Sequence, residues 1–380
     1  MRRLCNMLAR LFAAVVGRLL PIDSKKIVIS SYYGRGYGDN PKYIVEALLK
    51  QSDRLRIIWL INSEDDAKNL PNRVEQCKYN SVSSVYHLST AKVWIDNCRK
   101  GYVMFKRKKQ LYIQTWHGFA IKRIEKDVEK QLSDYYVKCA NRDSRMMDLA
   151  ISDSAHMTKL YNDSFWYDGE VLECGAPRND IILRKSDILK NKICENLHIE
   201  KGRKLVMYAP TFRANLESDA YSIDYDRLKA CCERRFGGTF SVLVRLHPNV
   251  IKNSDFIDFD GVDRINASYY PDMQELLAVS DVVVSDYSSL MVDYSLSRRP
   301  CFQFASDVDE YKKDRNFYFD IENLPFMLSR TNDELEKKIL TFDETAYVGN
   351  VDKFLNSVGM IEANDASITC AELILKTCRL

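Results

Sequence analysis

Short apolar runs alternating with helical patterns recur in two series along the chain, and that rhythm leaves few folds open. The first series reads KIVISSYYG, the helical NPKYIVEALLKQ, LRIIWLIN, VWIDNC, LYIQTWHG, LAISDS and EVLECGAPRND. Strands covered on both faces read as nearly continuous apolar stretches, and helical crossovers between them make the sheet parallel. KLVMYAPTF, FSVLVRLHP, the helical MQELLAVS, DVVVSDYSS, the helical SLMVDYSLS and CFQFASD repeat the arrangement. The polar stretch from Arg184 to Lys204 reads as the linker, and Asn332 to Leu380 reads as amphipathic helices. An α/β chain with two Rossmann-like open parallel sheets and C-terminal helices is expected. Its segments are a terminal helix over 1–22, a first domain over 23–190, a second over 191–365, and a last helix over 366–380 able to cross back onto the first. Ligands of such sheets sit beyond the C-terminal strand ends, so the strand-to-helix turns should carry the chemistry.

At 380 residues the chain exceeds what one core usually serves, which agrees with two domains. Its 56 basic and 53 acidic residues are too balanced for general nucleic-acid binding. The 11 cysteines show no repeated C-x-x-C pair, only the adjacent Cys231 and Cys232, and read as reduced core thiols of a cytoplasmic protein.

Residues 1–20, MRRLCNMLARLFAAVVGRLL, place apolar side chains at helical spacing among Arg2, Arg3, Arg10 and Arg18. Arg10 and Arg18 leave the apolar run too short to span a bilayer. Two readings stand: an interfacial helix on the cytoplasmic face of the membrane, its arginines meeting anionic lipid, or a helix packed on the protein itself.

Three strand-to-helix turns carry reactive side chains. In QTWHG, His117 is placed to titrate near neutrality as a general base, or to be a satisfied buried histidine. Gly118 permits close backbone approach, and Lys122 and Arg123 can attract phosphate. In RLHP, Arg245 and His247 point to the same side of an extended segment and fit a diphosphate; the alternative is a structural histidine. In SDYSS, Ser288 or Ser289 would cap the following helix, with or without an anion at its first N–H groups. Asn40 is a candidate cap for the helix beginning at Pro41.

QTWHG, GAPRND at 175–180, YAPTFR at 208–213, RLHP and the block SDYSSLMVDYSLSRRPCFQFASDVDEY ending in NFYFD together resemble the CDP-glycerol glycerophosphotransferase family, in the family's order and over roughly residues 26–340. The resemblance implies a GT-B fold, two lobes facing across a cleft, with the donor site in the C-terminal lobe. It implies transfer of glycerol phosphate from CDP-glycerol to a lipid-linked saccharide or cell-envelope polymer, as in teichoic acid or capsular polymer synthesis, with release of CMP. His117 and His247 match the family's catalytic histidines. Asp286, Ser288, Ser289 and Asp293 match its D-Y-S-S turn and the acidic position that follows. Arg213 and Arg245 are candidate donor-phosphate contacts; Arg178 is either an acceptor or phosphate contact or a structural tie. CDP-ribitol as donor, and a nucleotide-sugar glycosyltransferase of the same fold, are the alternatives.

The carboxylate pairs Asp65-Asp66, Asp258-Asp260 and Asp307-Asp309 follow no long apolar strand with supporting ligands. No tightly bound metal or other cofactor is therefore expected.

Overall fold

The computed structural model describes residues 2–101, 104–184, 186–211, 222–246, 263–308 and 316–380, the side chains of residues 2–8 and 11 excepted. The chain divides into two compact units. Unit 1 comprises residues 1–117, 124–180 and 359–380; unit 2 comprises 118–123 and 181–358.

Unit 1 opens with helix α1 (Arg2–Gly17), then β1 (Asp23–Ser30), α2 (Asp39–Gln51), β2 (Arg56–Ile61), β3 (Val74–Lys78), α3 (Val82–Thr90), β4 (Ala91–Asp96) and β5 (Leu111–Gln114). It continues through α4 (Asp134–Ser144), β6 (Leu149–Ser152), α5 (Ala155–Ser164) and β7 (Glu170–Glu173). The seven strands are parallel in the order β3-β2-β1-β4-β5-β6-β7, the doubly wound dinucleotide-binding order extended by one strand. β1 is central, with Ile29 opposite both Trp59 and Ile95. Buried Ile44 and Leu48 of α2 share one core with Ile27, Trp59 and Ile113, and with Ala366, Cys370 and Ile374 of the C-terminal helix Ala366–Cys378. Asp180 accepts from the N–H groups of Ala366 and Ser367, fixing the start of that helix.

Unit 2 runs α6 (Asp180–Leu183, shared at its first residue), α7 (Asp187–Asn196), β8 (Lys204–Ala209), α8 (Tyr225–Phe236), β9 (Phe240–Val244), β10 (Arg264–Asn266) and α9 (Met273–Val279). β11 (Val282–Ser285), α10 (Leu290–Ser295), β12 (Cys301–Phe304), β13 (Leu328–Ser329), α11 (Asn332–Leu340) and α12 (Glu344–Ser357) complete it. Its six parallel strands repeat the same order, β10-β9-β8-β11-β12-β13, with Tyr208 opposite Val244 and Val284.

The α/β class with two open parallel sheets is as expected; the boundaries differ. Residues 187–196 within the expected linker form α7, capped by Ser186. The first division falls after residue 180 rather than 190, residues 359–365 join unit 1 with the last helix, and 118–123 belong to unit 2. There, Arg123 N–H donates to Asn316 and Tyr318 N–H to Ile121. Asn40 does not cap α2: the N-cap is Gly38, and Asn40 lies inside the helix. The ten described cysteines are buried and free of disulfides.

Helix α1 packs on the protein along one side and leaves apolar side chains exposed on another. Ala14 and Gly17 are buried; a Cβ on Gly17 would lie 2.4 Å from that of Ser89, so glycine allows α1 to approach α3 closely. Phe12, Val15, Val16 and Leu19 face outward, Leu19 with 84% of its surface exposed. Arg107 donates to the carbonyl of Leu20 at 2.7 Å and so ties the chain leaving α1 to the basic segment 106–109. No helix among the described residues is long and apolar enough to cross a membrane.

Candidate functional site

In unit 1 the strand order reverses between β1 and β4, so the loops leaving those strands part and open a crevice. Three loops converge there: Ser31–Gly38 after β1, Asn97–Lys100 after β4, and Thr115–His117 after β5. Thr115 N–H donates to the carbonyl of Asp96 at 2.9 Å, carrying the last loop one residue beyond the strand. Trp116 then turns into the left-handed region, φ +49°, held by its N–H to Gln114 Oε1 at 3.0 Å and by its ring, edge-on to Phe165 at 4.7 Å. Such a conformation costs an aromatic residue on the order of 1 kcal/mol and persists where surrounding contacts dictate it. Gly118 follows at φ +145°, where an L side chain is rare.

His117 is thereby half-buried at the crevice. Its Nδ1 lies 2.7 Å from the carbonyl oxygen of Asn97, and a carbonyl only accepts, so Nδ1 carries the proton and Nε2 keeps its lone pair. The ring lies between Trp116, centroids 4.3 Å apart, and Tyr32, 5.7 Å away. Burial lowers the imidazole's affinity for a second proton, and the bond to Asn97 opposes this only in part. The result is a neutral imidazole with one basic nitrogen.

The main chain around His117 is fixed by buried groups. The Asn40 amide donates to the carbonyls of Thr115 and Trp116, at 3.2 and 3.1 Å, while its Oδ1 accepts the N–H of Arg178. Arg178 Nη1 donates to the His117 carbonyl at 2.6 Å and pairs with Asp39 at 2.9 Å. Arg178 is 4% exposed, and these partners all lie within unit 1.

A second buried ion cluster supports the same wall and has no counterpart in the motif reading. Arg99 bonds Glu125 at 2.9 Å, Ser144 Oγ at 2.9 Å and the Phe165 carbonyl at 3.0 Å, with Asp143 at 3.5 Å. Its guanidinium lies 5.9 Å from the Trp116 ring centroid. These charges are scattered over residues 99–143, without a local pattern; the only sequence signal is that Arg99 and Lys100 directly follow an apolar strand.

The equivalent crevice of unit 2 lies between β8 and β11. Asp286, leaving β11, is 1% exposed and accepts from the N–H and hydroxyl of Thr211, which leaves β8, at 3.0 Å each. Gln303 donates to the Asp286 carbonyl at 2.7 Å. Arg245, leaving β9, directs Nη1 to the carbonyls of Ala267, Ser268 and Tyr270. Burial pulls its pKa down to about 10, so it remains charged at neutrality. Asp293 is buried and accepts from Gln274 at 3.0 Å. Ser288 and Ser289 are half-buried; of the two candidate caps, Ser289 makes no side-chain cap, while Ser288 Oγ accepts from the Leu290 N–H at 3.4 Å, and α10 is only six residues long. Ser289 already has helical backbone angles, φ −63° and ψ −16°, whereas a capping side chain works from an extended backbone. Lys122 and Arg123 also belong to unit 2; the guanidinium of Arg123 lies 5.7 Å from the Tyr318 ring centroid. His247 and Arg213 fall outside the described residues, as do Asp258, Asp260 and Asp309.

No group of three His, Cys, Asp or Glu side chains among the described residues is arranged to hold a metal ion. Asp65 pairs with Lys68 on the surface, and Asp307 accepts from the Tyr287 hydroxyl at 2.9 Å.

Residues 12–375 match the family model described as CDP-glycerol:poly(glycerophosphate) glycerophosphotransferase. A teichoic acid poly(glycerol phosphate) polymerase of Staphylococcus epidermidis is 32% identical over 93% of this chain, which spans 51% of that relative's length. One of the same description from Bacillus spizizenii is 27% identical over 97% of both chains. Among solved structures, the wall teichoic acid polymerase TagF superposes with a TM-score of 0.86 at 30% identity, covering 98% of this chain and 93% of that one.

Proposed function

The chain belongs to the CDP-glycerol:poly(glycerophosphate) glycerophosphotransferase family, and from that membership we propose that it transfers glycerol phosphate from CDP-glycerol to a hydroxyl of a lipid-linked or cell-envelope polymer. The observation that carries the reading is His117, held with Nδ1–H on the Asn97 carbonyl and Nε2 free to take a proton. The acceptor hydroxyl gives its proton to Nε2 as its oxygen bonds to the β-phosphorus of CDP-glycerol. The bond from that phosphorus to the bridging oxygen breaks, and CMP leaves with the electron pair, giving a phosphodiester. A positioned base contributes roughly a hundred- to ten-thousandfold.

In unit 2, Arg245 keeps its charge while Nη1 orders the loop after β10, and the guanidinium edge beyond those bonds serves the donor diphosphate. Asp286 holds the Thr211 loop in place for the same donor. His247, Arg213, Ser288 and Ser289 complete the donor side in this proposal, and no resident metal is required. Helix α1 rests on the cytoplasmic membrane face through Phe12, Val15, Val16 and Leu19, bringing the protein to a lipid-linked acceptor.

The test is CMP release by the purified protein from CDP-glycerol with a lipid-linked acceptor, beside His117→Ala and a parallel CDP-ribitol reaction. Acceptor-dependent CMP from CDP-glycerol, lost in folded His117→Ala, is the expected result. Turnover with CDP-ribitol alone would change the donor, and activity surviving His117→Ala would remove the proposed base.

A further inference from the structure

The loop between β1 and α2 reads SYYGRGYG and is wound in an unusual way. Tyr32 and Tyr33 have φ of +45° and +61°, Gly34 and Gly36 have +86° and +79°, and Asp39 has +59°. Glycine accepts such angles freely; two consecutive tyrosines do not, and each costs on the order of 1–2 kcal/mol there. The surroundings enforce the conformation. Tyr32 N–H donates to Asn97 Oδ1 at 2.8 Å, Asn62 Nδ2 donates to the Tyr33 carbonyl at 2.8 Å, and Asn62 N–H donates to Gly34. The Tyr32 hydroxyl donates to Asp39, the carboxylate already paired with Arg178.

Asn97 is the shared hub of this arrangement. Its side chain sets Tyr32 while its carbonyl sets His117, so the phenol ring and the imidazole are held in register, centroids 5.7 Å apart. Despite this anchoring, Tyr32 and Tyr33 remain 37% and 39% exposed. A strained, cross-tied loop that leaves an aromatic ring open beside a basic nitrogen is arranged to meet a ligand rather than to fill a core.

Resting on the proposed transfer reaction, we propose that Tyr32 is an acceptor-binding residue: its ring is the wall against which the C–H face of the acceptor's polyhydroxylated terminus lies, with the attacking hydroxyl toward Nε2 of His117. A ring is suited to this because the carbon faces of polyols and sugars are apolar while their hydroxyls point outward.

The experiment compares wild type with Tyr32→Phe, Tyr32→Ala and Tyr32→Asn, the last because Asn tolerates the left-handed conformation and separates loss of the ring from misfolding. Acceptor and donor KM are read from CMP release. A soluble disaccharide ending in glycerol phosphate is titrated calorimetrically without donor. Truncation is expected to raise acceptor KM and weaken disaccharide binding about tenfold, the size of one lost aromatic contact, with donor KM unchanged, and Tyr32→Phe, which keeps the ring but loses the bond to Asp39, is expected to bind the disaccharide more tightly than Tyr32→Ala and Tyr32→Asn. Equal disaccharide binding by all four proteins, no binding by wild type, or a parallel rise in donor KM overturns the proposal. So does a shifted pH profile at unchanged acceptor KM, since that marks a residue that only steadies His117. Should wild type release no CMP while the disaccharide titration still depends on the ring, the reaction assignment fails and the binding role stands.

Discussion

The carbonyl of Asn97 accepts the Nδ1–H of His117 at 2.7 Å and thereby decides which imidazole nitrogen faces the crevice. A group whose folded-state pKa is depressed keeps its neutral form to lower pH than free histidine. The acid limb of kcat/KM is therefore expected below the ordinary imidazole value of about 6.5, with activity retained as pH rises through neutrality. The same depression means the unfolded chain binds the proton more readily. His117's contribution to stability is full above the unfolded pKa and is lost as pH falls through the folded one. A pH-rate profile and urea titrations across the acid range check both; His117→Gln should remove the limb.

Arg178 is buried between Asp39 and the His117 carbonyl, so Arg178→Met leaves a carboxylate without its cation and a carbonyl without its donor. Removing one partner of a buried pair costs about 3–5 kcal/mol. Denaturant unfolding should show a loss of that order, with Arg178→Lys recovering part of it. Unchanged stability with weakened phosphate binding would instead make Arg178 a ligand contact.

In the proposed reaction Asp286 serves the donor side by holding Thr211. In Asp286→Ala the loop after β8 loses hydrogen bonds to a charged acceptor, worth about 1.5–3 kcal/mol. The KM for CDP-glycerol should rise roughly ten- to a hundredfold, while acceptor KM stays level. Steady-state kinetics with each substrate varied in turn decides this.

The outward apolar residues of α1 and of the turn that follows it are expected to set membrane affinity. Phe12→Glu with Leu19→Glu removes two large exposed side chains, each worth about 1.5–3 kcal/mol when buried. Co-sedimentation with vesicles containing phosphatidylglycerol should fall about a hundredfold or more. Undiminished binding would remove α1 as the contact.

The central strands were plain in the sequence because β2, β4, β8, β9, β11 and the second half of β1 are buried along most of their length and read as mainly apolar runs. The edges were not. β3, as VEQCK, alternates buried and exposed residues; β10 is three residues long and β13 two, too short to carry a period. Motif position located His117, Arg245 and Asp286 at strand ends, where the structure has them. It missed Asn97, Asp39 and Tyr32, because their roles rest on long-range bonds: Asn97 is 65 residues from Tyr32, and Asp39 is 139 residues from Arg178. Asn40 was misassigned for the same reason. A residue type common at helix starts is here the second residue of α2, its side chain bonded instead to the His117 loop.

Residues 359–380 return to unit 1, where the C-terminal helix shares a core with α2 and begins on the carboxylate of Asp180. For a chain made from its N-terminus on a ribosome, this fixes an order of assembly. The whole of unit 2 is synthesised before the last piece of unit 1 exists, and α2 presents an uncovered apolar flank throughout that interval. A chain ending at residue 358 should therefore carry a closed unit 2 and a protease-sensitive unit 1. The loop around His117 would gain its final rigidity only after synthesis has passed that point.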